Sequence, residues 1–138
     1  MIDFAIDAAA GLMGALRDAI DAGGAAGYVE LYGNARPAGG GSPEPDSLIA
    51  VLPLAYPCGS VDAGGLLQIS NSGAAVITAA LTPTWARFRT SADAWVIDVN
   101  ARLTGTTPDP DDPEELIVDA PELEVDKFAR VAGGYFYL

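Results

Sequence analysis

The sequence predicts a mainly β fold, an antiparallel β-sandwich of about seven strands, Ig-like or jelly-roll-like, led by one N-terminal amphipathic α-helix. Helical periodicity is confined to the first two dozen residues. Beyond it, short alternating or apolar runs are separated by Gly, Pro and Asn turn signals. A second helix that could cross over between parallel strands is missing from the pattern, which disfavours a βαβ architecture. Patterning does not settle closure, so a small barrel is the alternative. The expected division is an N-terminal helix over 1–22 and a β-sandwich over 27–138, one domain overall. A chain of 138 residues can bury roughly two-thirds of its unfolded surface without a disulfide or structural metal.

The helix is read from Ile2, Ile6, Ala9, Met13, Leu16 and Ile20, which recur at three- and four-residue spacing, with Asp3, Asp7, Asp18 and Asp21 off that stripe. Gly23-Gly24 stops it near Ala22. GYVELYG over 27–33 alternates Tyr28, Glu30 and Tyr32 against Val29 and Leu31, a first strand. ARPAGGGSPEPDS over 35–47 is a long loop, and no strand and lysine accompany it to make a phosphate cradle. Leu48 to Ala55 is apolar on both faces, as in a strand covered on both sides, with Pro53 at an edge or bulge. Leu66 to Ser70 is a short strand, and 74–82 reads as strand or loop.

Thr84 to Asn100, TWARFRTSADAWVIDVN, is the strongest pattern and reads as a hairpin. Trp85, Arg87 and Arg89 share one face of its first arm, and Ala86 and Phe88 the other. Leu116 to Val118 follows as a short strand, and 123–131 brings Leu123, Val125, Phe128 and Val131 into another. Gly133-Gly134 then bulges or bends the chain before Tyr135-Phe136-Tyr137-Leu138. Four large apolar residues at that position mark either the last strand of the sheet or a segment inserted into a partner.

Composition excludes several functions. The formal charge is −12 with seven basic residues spread along the chain, so no nucleic-acid partner is expected, because phosphate binding needs clustered cations. Histidine is absent and Cys58 is the one cysteine, which removes the usual zinc ligands and any intrachain disulfide. The acids interrupting residues 2–20 and the lack of a basic leading stretch fit neither a signal peptide nor a membrane span, so the chain is expected in the cytosol where it is made. No cofactor, metal or catalytic residue is expected, and the protein is read as a non-enzyme. No GxSxG elbow occurs, and a Ser, Thr or Cys nucleophile would lack a histidine base. The acidic run from Asp109 to Glu115 is expected as a solvated face. Asp109, Asp111 and Asp112 could donate oxygens to a calcium ion, but the glycine and terminal glutamate of an EF-hand are missing. Trp85, Trp95, Tyr28 and Tyr32 are read first as packing residues and second as the floor of a carbohydrate or peptide groove. Arg87 and Arg89 are expected to cover the hairpin or to pair with the acidic block.

The helix ending in Asp-Ala-Gly-Gly, then YVELYG, ARPAGG, TWARFRTSADAWVIDVN, LIVDAP and a Val-rich last strand together resemble small proteins of tailed-bacteriophage head and tail gene clusters. The most specific part is Trp85-x-Arg87-Phe88 followed by Asp93 and Trp95-Val96-Ile97-Asp98. The proline and acid insertion at 107–115 and the aromatic GGYFYL end differ from the Thr-rich last strand of that family. The resemblance implies a virion structural protein, a minor capsid or decoration protein that binds the major capsid shell. The apolar helix stripe and YFYL tail favour binding to sister copies as well, with trimers the expected oligomer. Its location would be the virion capsid, assembled in the host cytoplasm. Ile2, Ile6, Met13 and Leu16 of the helix and Tyr135, Phe136, Tyr137 and Leu138 are the expected partner-binding residues. The alternatives are a tail or head-tail connector component, or a carbohydrate-binding module.

Overall fold

The computed structural model describes residues 6–112 and 114–136, with the side chains of 6–9 and of Tyr135 outside the description. Among these residues the chain forms α1 (Ile6–Ile20), β1 (Tyr28–Tyr32), β2 (Leu48–Val61), β3 (Leu67–Asn71), β4 (Ala75–Val76), β5 (Trp85–Arg89), β6 (Trp95–Leu103), β7 (Leu116–Asp119) and β8 (Phe128–Phe136). The fold is mainly β with one N-terminal helix. The eight described strands belong to one curled sheet, ordered β3-β2-β1-β5-β6-β7-β8-β4, and β3 also pairs with β8. The result is a half-barrel in which the edge strand β3 returns to β8 through Leu67–Phe136 and Gln68–Tyr135.

Two features differ from the all-antiparallel, roughly seven-stranded expectation. First, β6 and β7 run parallel, from Ala101 opposite Leu116 to Leu103 opposite Val118. A parallel return needs a connection of about a dozen residues or more, and the acidic connection over 104–115 supplies that length, with no helix among its described residues. Second, β2 is longer than Leu48 to Ala55 and changes partner midway. Its first half pairs with β1 as far as Pro53, and its second half pairs with β3 after an irregularity between Leu54 and Gly59. Pro53 thus stands at the changeover, where its missing N–H costs the ladder little. Pairing resumes at Gly59, where a Cβ would lie 2.1 Å from the backbone oxygen of Gln68. Only a residue without a side chain fits so close an approach.

The interior follows strand alternation. Val29 and Leu31 of β1 stand beside Phe88 and Ala86 of β5, and these beside Ile97 and Val99 of β6. Leu52, Leu54, Leu67, Leu116, Val118, Val131 and Phe136 complete the core. Phe88 and Phe136 come from strands that are not neighbours, and their rings meet edge to face with centroids 5.2 Å apart, so the curl closes tightly on itself. Helix α1 packs on β2 and β3 through Met13 and Ile20, with Leu16 partly buried beside them. Its end is tied down by Asp21, whose carboxylate accepts the Cys58 N–H at 3.1 Å. The Cys58 thiol is buried, and burial, then the Asp21 charge, pushes it up to about 12.

The C-terminal strand starts later than the hydrophobic pattern of 123–131 suggested. Residues 120–127 form a loop, Leu123 packs against the core, and Val125 and Phe128 are exposed. The bulge predicted at Gly133-Gly134 falls at the register shift between Ile117–Gly133 and Val118–Val131. Val51 of β2, expected to be covered on its outer face, is exposed as well.

Candidate functional site

The outer face of β1, β5 and β6 carries a second, polar layer. Antiparallel register aligns three rows across it: Tyr28, Arg89 and Trp95; Glu30, Arg87 and Asp98; and Tyr32, Trp85 and Asn100. The face predicted for Trp85, Arg87 and Arg89 is therefore correct, but its first two members are not at the surface. Trp85 is 1% exposed and Arg87 2%. The loop 33–47, which contains a single 3-10 turn at Ala38–Gly40, folds over them. Thr84 donates its hydroxyl to the Asn34 carbonyl, and Arg87 Nη2 donates to the Gly41 carbonyl at 2.9 Å. A long Gly/Pro loop thus acts as the roof of a small aromatic and ionic layer outside the main core.

Within that layer, Arg87 is the hub. Its Nε and Nη2 donate to the two carboxylate oxygens of Asp98 at 2.8 and 3.0 Å, and its guanidinium lies 5.3 Å from the centre of the Trp85 ring. Trp85 in turn stacks on Tyr32 with centroids 4.4 Å apart and planes 15° from parallel. Arg89 pairs with Glu30, so of the two expected roles both arginines lie over the hairpin face and neither pairs with the acidic residues of 109–126. Arg102, Lys127 and Arg130 take that role, facing Glu114, Glu122 and Asp119. Burial, followed by the Glu30 charge, pushes the Tyr32 hydroxyl up to about 12. Tyr28, which donates to Asp93 at the hairpin turn, is raised to about 12 by burial and then by that carboxylate.

Trp95 is the exception to this burial. It keeps 49% of its surface open, and its indole N–H is donated to Asp98 at 3.1 Å, which fixes the ring's orientation. Gly40, at φ +74°, lies against the ring, and a Cβ there would come within 2.8 Å of it. Between the ring and the turn runs a cleft of about 350 Å³, lined by Arg36, Pro37, Gly39, Gly40, Trp95 and Asp98 among others. The four-aromatic groove considered from sequence does not form, because Trp85 and Tyr32 are buried. The cleft joins Trp95 instead to Arg36, a residue that no sequence pattern marked.

A second surface feature lies on β4 and β8. Val76 and Phe128 are directly opposite in the ladder and are 46% and 59% exposed. Phe128 separates two shallow clefts of about 300 and 210 Å³ that share Pro121. Lys127 and Arg130 flank it, with Glu122 and Asp119 as their partners. Sequence periodicity had assigned Phe128 to a core-facing strand. Its position beside the loop 120–127, at the strand's start, is what leaves it exposed.

The expected partner-binding residues are placed differently from one another. Met13 and Phe136 are buried in the chain's own core, and Leu16 is partly buried against it. Ile6 lies on α1 and Tyr135 on β8, with side chains outside the description, and Ile2, Tyr137 and Leu138 lie outside the described residues. Among the described residues no group of three or more acidic or cysteine side chains is arranged to hold a metal ion, and Asp109 instead accepts the Asp111 N–H. No described helix is long and apolar enough to cross a membrane.

Compared with known protein families, curated proteins and solved structures, the chain matches none.

Proposed function

We propose that the protein is a non-enzymatic structural component of a tailed-bacteriophage virion, a minor capsid or decoration protein that binds the major capsid shell and sister copies of itself. The observation that carries this reading is the Val76–Phe128 patch. A large aromatic side chain left open beside a cross-strand valine, with cations on its rim, has the make-up of a contact surface. On a molecule of net charge −12, copies repel one another almost everywhere else, and Lys127 and Arg130 relieve that repulsion locally. A contact of this size gains strength by repetition over a symmetric assembly, for which trimers are the favoured unit.

The resemblance of the hairpin Thr84 to Asn100 to head and tail gene-cluster proteins supports the same assignment. The location proposed is the virion capsid, assembled in the host cytoplasm. The partner surface moves, in this reading, from Met13, Leu16 and Phe136 to Phe128 and Val76, because the former are occupied by the chain's own core.

Quantitative mass spectrometry of purified particles tests the proposal. A copy number near that of the major capsid protein is expected. A few copies per particle would move the protein to the tail or connector, and absence from particles would overturn the virion assignment.

A further inference from the structure

We propose that the cleft between Arg36 and Trp95 is a binding site for an acidic sugar, a pyranose carrying a carboxylate. Two independent observations meet there. The first concerns charge. The chain has seven basic residues, and six of them, Arg17, Arg87, Arg89, Arg102, Lys127 and Arg130, have a carboxylate within 4.0 Å. Arg36 is the one basic residue without such a partner among the described residues, in a chain where acids outnumber bases nineteen to seven. One of its nitrogens donates to the Asp98 carbonyl at 3.3 Å, which anchors the side chain and leaves the remaining donors of the guanidinium fork for a ligand.

The second concerns the aromatic ring. Trp95 is held by its indole N–H on Asp98, and Asp98 is held in turn by buried Arg87, so the ring is oriented before any ligand arrives. Gly40 covers part of the ring on the side of the turn, and with 49% of its surface open Trp95 still offers aromatic surface to the C–H face of a sugar ring. Asp98 does not repel an anion here, because its charge is already matched by the two-pronged pair with Arg87. The net charge of −12 opposes anion approach at long range, where salt screens it over about 8 Å, and Arg36 acts on the ligand at contact. A cleft of about 350 Å³ admits one or two sugar rings. An arginine that binds carboxylate in a fork, next to a fixed tryptophan face, selects an acidic sugar over a neutral one. This inference is independent of the virion assignment.

Isothermal titration of the full chain with oligosaccharides ending in glucuronate, galacturonate or N-acetylneuraminate, each matched to a neutral counterpart, tests it. At least one acidic ligand is expected to bind and to shift the tryptophan emission, with the neutral counterpart about tenfold or more weaker, the value of one charge-assisted hydrogen bond. Arg36→Gln should reduce the acidic ligand to the level of the neutral one, and Trp95→Ala should abolish both. Urea unfolding unchanged from the parent chain would show that these exposed substitutions leave the fold intact. Phe128→Ser should not alter binding, which separates this site from the virion contact. No response to any of the three acids, equal affinity for neutral sugars, or binding that survives Trp95→Ala would overturn the proposal.

Discussion

Arg87 and Asp98 face each other across the β5–β6 hairpin in a two-pronged ion pair, 2.8 and 3.0 Å, sealed under the loop that folds back from β1. Burying a charge is tolerable only while its partner remains, so the pair is most costly when broken on one side. Asp98→Ala should destabilise the fold by about 3–5 kcal/mol in urea unfolding, because it strands the Arg87 guanidinium. The double change Arg87→Met with Asp98→Leu should cost much less than the single one.

Phe88 and Phe136 test the closure of the curl. Each fills the interior from a strand that does not pair with the other's. Phe88→Ala and Phe136→Ala should each cost about 3–5 kcal/mol, and a double-mutant cycle should return a coupling of about 0.5–1.5 kcal/mol. Deleting 135–138 removes both β8 residues that pair with β3, so the truncated chain should lose stability in the same unfolding assay.

Phe128 should behave in the opposite way. Being 59% exposed, its replacement by Ser is expected to change stability by no more than about 0.5 kcal/mol while reducing self-association or incorporation into particles. Sedimentation of the pure protein and particle mass spectrometry read the two effects. A large loss of stability would place Phe128 in the core after all.

The tyrosines provide a pH test. Tyr28 and Tyr32 are both raised from 10.0 to about 12 in the folded protein. A raised value means that the folded state holds these protons more tightly than the unfolded state. Their contribution to stability is therefore complete below about 10 and is lost as pH rises through about 12. Ultraviolet titration should show these tyrosines ionising late, and Tyr32→Phe should flatten the alkaline loss of stability.

Glu115 gives the acidic counterpart. Burial raises its carboxyl above the ordinary 4.5, while its side chain accepts the Asn100 N–H at 3.0 Å. Its protonated form is favoured in the fold, so stability from this group is present below 4.5 and declines as pH rises through its folded value. Glu115→Gln keeps an acceptor and removes the charge. It should raise stability at neutral pH and flatten the pH profile above 4.5, as thermal melts across that range would report.

Local chemistry made much of the fold legible. The turn of the hairpin lies in Thr90 to Ala94, where the Thr90 hydroxyl accepts two backbone N–H groups and Asp93 takes positive φ, and both arms alternate as their side chains require. The helix, β1, the hairpin and the bulge near Gly133-Gly134 depend on nearest neighbours in sequence, and periodicity reads such neighbours directly. The site was less legible. Arg36 looks like any loop arginine, and what distinguishes it is that no carboxylate among the described residues lies within 4.0 Å of it.

By itself, the sequence determined that this is a mainly β protein with one N-terminal helix, which residues of the hairpin share a face, and that its surface is strongly acidic. Tertiary structure alone decided how the sheet closes, that β7 joins β6 in parallel, and which aromatics are covered. The physical reason is that closure and burial depend on contacts between residues far apart in the chain, such as Phe88 with Phe136 and Arg87 with Gly41. Alternation assigns each side chain to a face. Whether that face is wet or dry depends on what folds over it, and here a Gly/Pro loop covers Trp85 and leaves Trp95 half open.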